Sequence, residues 1–105
     1  MANVSTTFRG SPSQATTPTI YNLSMPTANT EYSQLLSDHT KRILIKSRDR
    51  TAQLRIAFVS GDTSILWITI EPGSVYSDEN LDLEGATIYL RANKNTQIAE
   101  ILEWK

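Results

Sequence analysis

Cysteine is absent from this chain, and histidine occurs once, at His39. Without cysteine there is no disulfide and no thiolate metal site, which agrees with a reducing cytoplasm. A metal site would have to combine His39 with carboxylates alone, which is a poor set of ligands for a typical zinc centre. The sequence therefore predicts no metal and no cofactor.

Long hydrophobic runs are also missing. The longest unbroken runs have only four residues, as at 65–68, and are far shorter than the roughly 20 residues of a membrane-spanning helix. The first ten residues are polar and lack the apolar centre of a signal peptide. We therefore expect neither a secretion signal nor a membrane segment.

A basic surplus is lacking too, since the formal net charge is −1 and the pI is about 5.7. Proteins that bind phosphate backbones usually carry an excess of Lys and Arg, so nucleic acid is not an expected partner. The glycines are isolated in turns and form no phosphate-binding loop. Ser37, Asp38 and His39 are adjacent, whereas a catalytic triad is assembled from distant segments. His39 is interpreted as a turn residue, and the chain as a non-enzyme.

Residues 1–19 differ in composition from the rest of the chain. They are rich in Thr, Ser and Pro, and they contain one charge, Arg9, and little apolar material beyond Val4 and Phe8. Such a stretch cannot bury enough surface to offset its ordering entropy. We predict a flexible or extended N-terminal arm at 1–19 and a folded domain at 20–105.

Apolar side chains recur at every second position in most of the domain. This alternation is typical of strands with one buried and one solvated face, and Gly, Pro, Asn and Asp between the runs mark turns. The sequence predicts an all-β fold, a single antiparallel β-sandwich or barrel (jelly-roll-like) of about eight short strands. The pattern is carried by Tyr21, Leu23, Met25, Ile43, Ile45, Leu54, Ile56, Phe58, Ile88 and Leu90.

Residues 65–70 are apolar on both faces up to Thr69. A strand that is apolar on both faces needs cover on each side. The outward set, Ile65 and Trp67, is therefore expected to be covered by another subunit, or alternatively by the arm or a loop.

The charges are unevenly distributed along the chain. One interpretation is a basic stripe across two neighbouring strands, with a later acidic group as its complement, which suits contacts between copies or docking on a partner. The alternative is a solvated strand face that protects a sheet edge. The cations are Lys41, Arg42, Lys46, Arg48, Arg50 and Arg55, and the acids are Glu71, Asp78, Glu79, Asp82 and Glu84.

From Ile20 onward the chain resembles small virion proteins of tailed bacteriophages. The resemblance is carried by residues 21–33 (YNLSMPTANTEYS), 41–46, 54–61 (LRIAFVSG), 70–76 (IEPGSVY), 83–90 (LEGATIYL) and 98–104 (IAEILEW). It implies a β-sandwich capsid decoration (cement) protein, or alternatively a neck, tail or head-fibre accessory module. The arm at 1–19 lies outside the resemblance.

We therefore expect a non-enzymatic virion protein, assembled in the host cytoplasm, that binds the major capsid protein or other virion proteins as a homotrimer. A carbohydrate-binding module that uses Tyr76, Tyr89 and Trp104 is a further alternative. No nucleic acid and no membrane is expected as a partner. Aromatic and Arg side chains are enriched at binding hot spots, and the candidate interface residues are Phe8, Arg9, Arg42, Arg48, Arg50, Arg55, Ile65 and Trp67.

Overall fold

The computed structural model describes residues 17–105. They form eight strands and one short 3-10 helix, η1, so the predicted all-β class is confirmed. In chain order the elements are β1 Pro18–Met25, β2 Tyr32–Leu35, β3 Arg42–Ser47, β4 Leu54–Ala57, η1 Asp62–Ser64, β5 Ile68–Ile70, β6 Val75–Asp78, β7 Thr87–Ala92 and β8 Gln97–Trp104.

The strands form two four-stranded antiparallel sheets. The first sheet has the order β1-β8-β3-β6 and the second has the order β2-β7-β4-β5. Every connection passes from one sheet to the other except the one between β4 and β5, which are neighbours in the second sheet. This is the strand order of a jelly roll, the double-sheet architecture that the alternation predicted.

The core lies between the two sheets and is filled by alternate residues of each strand. Burying these aliphatic side chains supplies the main stabilisation, roughly 1.5–3 kcal/mol for each large one. The fully or almost fully buried members are Met25, Leu36, Ile43, Ile45, Leu54, Ile56, Ile70, Ile88, Leu90, Ala92, Ala99 and Ile101.

Strand β8 buries the less apolar of its two sides. Gln97 and Glu103 are buried with Ala99 and Ile101, whereas the alternate set, which includes Leu102, is only half-buried. Pairing with β1 and β3 on both sides sets this orientation, because a shift of one residue would turn every side chain to the other face.

Two element boundaries differ from the sequence pattern. Strand β5 comprises only Ile68–Ile70, so residues 65–67 belong to the connection from β4. Pro18 and Thr19, which the composition assigns to the arm, lie in β1 and pair with Trp104 and Glu103 of β8. Among residues 17–105 there is no helix with the length and hydrophobicity required to cross a bilayer.

Candidate protein-docking surface

A cluster of exposed apolar side chains surrounds the connection between β4 and β5. We call it the apolar patch, and its members are 38–73% exposed. No charged residue occurs between positions 63 and 70. A groove of about 260 Å³ runs between the end of β4 and the start of β5 within this cluster. The patch consists of Phe58, Val59, Ile65, Leu66, Trp67 and Ile68.

The patch is carried by a chain segment that turns back tightly after β4. The Asp62 amide donates to the Val59 carbonyl at 3.0 Å, and the Leu66 amide donates to the Asp62 carbonyl at 2.9 Å. Gly61 has a φ of 89°, a left-handed conformation that favours glycine. Since these bonds join residues close in sequence, Val59 and Leu66 are brought to the same part of the surface.

Glu31 anchors this segment, although it directly precedes β2, at the opposite edge of the second sheet from β5. Its carboxylate accepts hydrogen bonds from the Thr63 hydroxyl at 2.7 Å, the Gly61 amide at 2.9 Å and the Thr63 amide at 3.3 Å. The Thr63 hydroxyl bond is the main cause that lowers the pKa of Glu31 below its ordinary value of 4.5, and the two amides lower it further. Bonds to a carboxylate favour its charged form, so the segment is held by an ionised acceptor.

Arg55 fixes the tryptophan of the patch. Its guanidinium lies 4.0 Å from the centre of the Trp67 ring, a cation–π distance. The Trp67 Nε1–H also donates to the Thr69 hydroxyl at 3.2 Å. The ring is therefore ordered although 38% of the residue is exposed, and Ile65 beside it is 67% exposed. The outward position expected for both residues is what the structure shows, and both remain uncovered within residues 17–105.

At the edge of the sandwich the core itself reaches the surface. Strands β5 and β6 each pair on one side only. Phe58 and Tyr76 lie there with ring centres 6.5 Å apart. Partial burial raises the pKa of Tyr76, and the neighbouring Asp78 raises it further. Phe58 and Ile68 are about half exposed, so the patch continues from the β4–β5 connection into the opening between the sheets.

The apolar patch is large for a chain of this size. If a fully exposed residue of this size is taken as roughly 200 Å², the six residues, with their backbone included, leave roughly 700 Å² open. The largest patch of a typical monomer is about 300–600 Å², and larger ones mark interaction sites. A standard protein interface buries about 800 Å² on each partner, so the patch is comparable to one half of such an interface.

The candidate basic residues do not form the single stripe that their spacing suggested. Arg42, Lys46 and Arg48 are on or next to β3 in the first sheet, whereas Arg55 is on β4 in the second sheet. Arg50 is exposed in the loop between them. The stripe was expected on two neighbouring strands, but consecutive strands of a jelly roll usually belong to opposite sheets.

The cations of the first sheet are engaged with neighbours on its outer face. Glu100 accepts a hydrogen bond from Arg48 Nε at 2.8 Å and lies 3.4 Å from Lys46 Nζ. The Arg48 bond is the leading cause that lowers the pKa of Glu100, followed by burial, which opposes it, and by Lys46. Arg42 lies 5.9 Å from the centre of the Trp104 ring. The cations on this face thus contact neighbouring side chains of the same sheet. The face is solvated, but it is not a basic surface.

A second apolar surface lies across the middle of that outer face. Ile20, Leu102 and Leu44 occupy one row, since the register pairs Leu102 with both of the others. They line a shallow groove of about 250 Å³, which Asn22, Lys46 and Glu100 border. We call this the sheet groove. In the sequence, Ile98, Leu102 and Trp104 alternate along β8, but alternation alone does not show that their side faces outward.

One polar cluster brings together groups that are distant in sequence. His39 Nδ1 lies 3.3 Å from Asp82 and 3.5 Å from Glu84, and Lys41 Nζ lies 3.7 Å from Asp82. His39 has a φ of 64° in the turn after β2, in agreement with its interpretation as a turn residue. The His39, Asp82 and Glu84 side chains are about two-thirds or more exposed, and exposed ion pairs contribute little stability. The cluster resembles an ordinary surface network.

The remaining candidate residues are dispersed or outside the described part of the chain. Phe8 and Arg9 precede residue 17, where the description begins. The suggested sugar-binding aromatics lie on separate surfaces. Tyr76 points toward the core beside Ile45, Trp104 lies on the first sheet beside Arg42, and Tyr89 belongs to β7 of the second sheet.

No protein-family model, curated protein or solved structure matches this chain. The resemblance to phage virion proteins therefore stays a prediction.

Proposed function

We propose that this protein is a non-enzymatic structural protein that docks on other proteins through the apolar patch. The observation that carries the proposal is the exposure of Leu66, Ile65 and Phe58, which are 73%, 67% and 53% exposed, on a segment fixed by Glu31 and Arg55. An ordered apolar surface loses little conformational entropy on binding. It is therefore suited to stable contact with a partner.

The specific role that we propose is decoration of an assembled bacteriophage head, as a homotrimer. The sequence resemblance supports this role, and jelly rolls occur in viral capsid proteins, although a fold alone does not determine a function. Many copies on a regular shell would add their individually weak contacts through multivalency. A neck, tail or head-fibre accessory role uses the same surface at a lower copy number.

Sugar binding is the other use of a jelly roll that the sequence suggested. A sugar platform needs aromatic rings on a common face, and Tyr76, Tyr89 and Trp104 do not share one. The geometry therefore favours protein docking.

The test is rebinding of purified protein to particles produced without it. Leu66→Asp places a charge in the centre of the patch, and Leu35→Asp is the matched control because Leu35 is 60% exposed on the edge strand β2. We expect Leu66→Asp to weaken binding by at least about tenfold, as loss of one anchor residue does, and Leu35→Asp to bind normally. Normal binding of a folded Leu66→Asp variant would refute docking through the patch.

Copy number separates the specific roles. Quantitative mass spectrometry of purified particles should give on the order of hundreds of copies for a decoration protein that acts through repeated contacts. About a dozen copies or fewer would reject decoration and support the neck or tail alternative.

A further inference from the structure

We propose that the apolar patch of one copy docks into the sheet groove of a second copy, in a head-to-tail contact. This inference rests on the proposed function, because it names the partner of the same patch. It assigns a role to the apolar patch and to the sheet groove, which are both open in the part of the chain that the structure describes.

The two surfaces are complementary in shape. Ile65 and Leu66 project from the β4–β5 connection with about 70% of each residue exposed. The sheet groove is a depression of about 250 Å³ between Ile20, Leu44 and Leu102. A cavity of roughly 150 Å³ already accommodates benzene, so the groove has room for a branched aliphatic side chain.

The patch of one copy cannot dock into the sheet groove of the same copy, because the two surfaces lie on different sheets. The sheet groove is on the outer face of the first sheet, whereas Trp67 stacks on Arg55 at the second sheet. The sandwich core lies between them. A contact between two different surfaces is heterologous, and such contacts form closed rings when the rotation permits. The proposed trimer is a ring of this kind.

The charges around the two surfaces are compatible with this contact. The projecting residues, Ile65 and Leu66, are uncharged, so neither of them carries an ion into the contact. At the border of the groove, Lys46 and Arg48 share the single carboxylate of Glu100, which leaves an excess of one positive charge. Beside the patch, the Arg55 guanidinium is accompanied by the carboxylate of Glu31 and by Asp62 of the same segment. The two rims are therefore not of one sign, and like-charge repulsion does not exclude the contact.

A contact of the patch with itself is the main competing arrangement. It would bury Leu66 against Leu66 but would leave Ile20, which is 69% exposed, uncovered. The head-to-tail contact covers both, and the roughly 700 Å² of the patch approaches the 800 Å² per partner of a standard interface.

The absence of cysteine from the chain allows a direct test, because each introduced thiol is unique. Leu66→Cys, Ile20→Cys and the control Leu35→Cys are purified separately and oxidised alone or as pairwise mixtures. We expect the mixture of Leu66→Cys and Ile20→Cys to form disulfide-linked dimers, because proximity raises the effective concentration of the two thiols. The rate should be at least about tenfold higher than for either variant alone or for mixtures with Leu35→Cys. Equal cross-linking of Leu66→Cys with itself, or cross-linking no faster than the control, would overturn the inference.

Failure of this inference is distinguishable from failure of the proposed function. If the mixed dimer does not form but Leu66→Asp still abolishes particle binding, the patch docks on a different protein and only the head-to-tail contact is refuted. If Leu66→Asp binds particles normally, docking of the patch on the particle is refuted, and the cross-linking alone then decides whether the patch contacts a second copy. Light scattering of the wild type and Leu66→Asp provides an independent measure, with a loss of oligomer expected only in the variant.

Discussion

Arg55 supports the apolar patch at two points: its guanidinium lies 4.0 Å from the centre of the Trp67 ring, and its Nη1 donates to the Thr63 carbonyl at 3.0 Å. The carbonyl belongs to η1 and the ring precedes β5. One side chain in the middle of β4 thus fixes both halves of the connection. The shape of an apolar surface therefore depends on a cation beneath it.

Arg55→Ala should loosen the patch without unfolding the domain. We expect a loss of about 1–2 kcal/mol in the free energy of unfolding, the combined size of one cation–π contact and one hydrogen bond. In a Trp104→Phe background, Trp67 is the sole tryptophan, and its quenching by acrylamide should increase. Arg50→Ala, in an exposed loop, is the control, and equal quenching in both variants would show that Arg55 does not order the ring.

Glu31 should make the stability of the patch segment dependent on pH. Its folded-state pKa lies below the ordinary value of 4.5, so its stabilising contribution is present above that pH and is lost as the pH falls through the lowered pKa. Glu31→Gln cannot ionise, so we expect it to be less stable than the wild type at pH 7 and to lose less stability on acidification. Urea denaturation at several pH values measures this. If the free energy of unfolding changed with pH in the same way for both proteins, the role of the Glu31 charge would be contradicted.

Glu103 is a buried carboxylate, 0% exposed, that holds the end of β2 to the first sheet. It accepts hydrogen bonds from the Ser37 amide at 2.9 Å and from the Tyr21 hydroxyl at 3.2 Å. Glu103→Leu would leave the Ser37 amide without its acceptor, and an unsatisfied buried donor costs about 1–3 kcal/mol. Glu103→Gln retains a carbonyl acceptor and should be less destabilising. Denaturant unfolding compares them, and an unchanged Glu103→Leu variant would refute this account.

Thr96 adopts a conformation that is unfavourable for its residue type. It has a φ of 56° in the turn between β7 and β8. Similar φ values occur in two other turns, but there the residues are asparagines, Asn29 and Asn80. The left-handed region costs an ordinary residue about 1–2 kcal/mol, whereas Gly and Asn tolerate it. Thr96→Asn should therefore raise the free energy of unfolding by about 1 kcal/mol. Thr96→Ala keeps the Cβ atom and should give a smaller gain, and a thermal-denaturation midpoint that falls with Asn would contradict the prediction.

Much of the fold could be predicted because it is encoded locally. Leu54 and Ile56 alternate with Arg55, and both aliphatic residues are completely buried. Ile88 and Leu90 follow the same rule in β7. The exposed position of Trp67 could also be predicted, since residues 65–70 have more apolar side chains than one buried face can accept. The patch as a whole could not, because Phe58 joins it only when the end of β4 meets the start of β5.

The sequence by itself determined the two-residue period, the all-β class and the inner face of most strands, because alternation fixes which residues share a side. It could not determine which side of β8 is buried, since Ile101 competes with Leu102 and only pairing with β1 and β3 decides between them. Tertiary structure also separated Arg42 from Arg55 by placing β3 and β4 in different sheets, and it brought Glu31 to Thr63. The physical reason is that a local pattern specifies alternation, whereas orientation and long-range contacts depend on neighbouring strands that are distant in the chain.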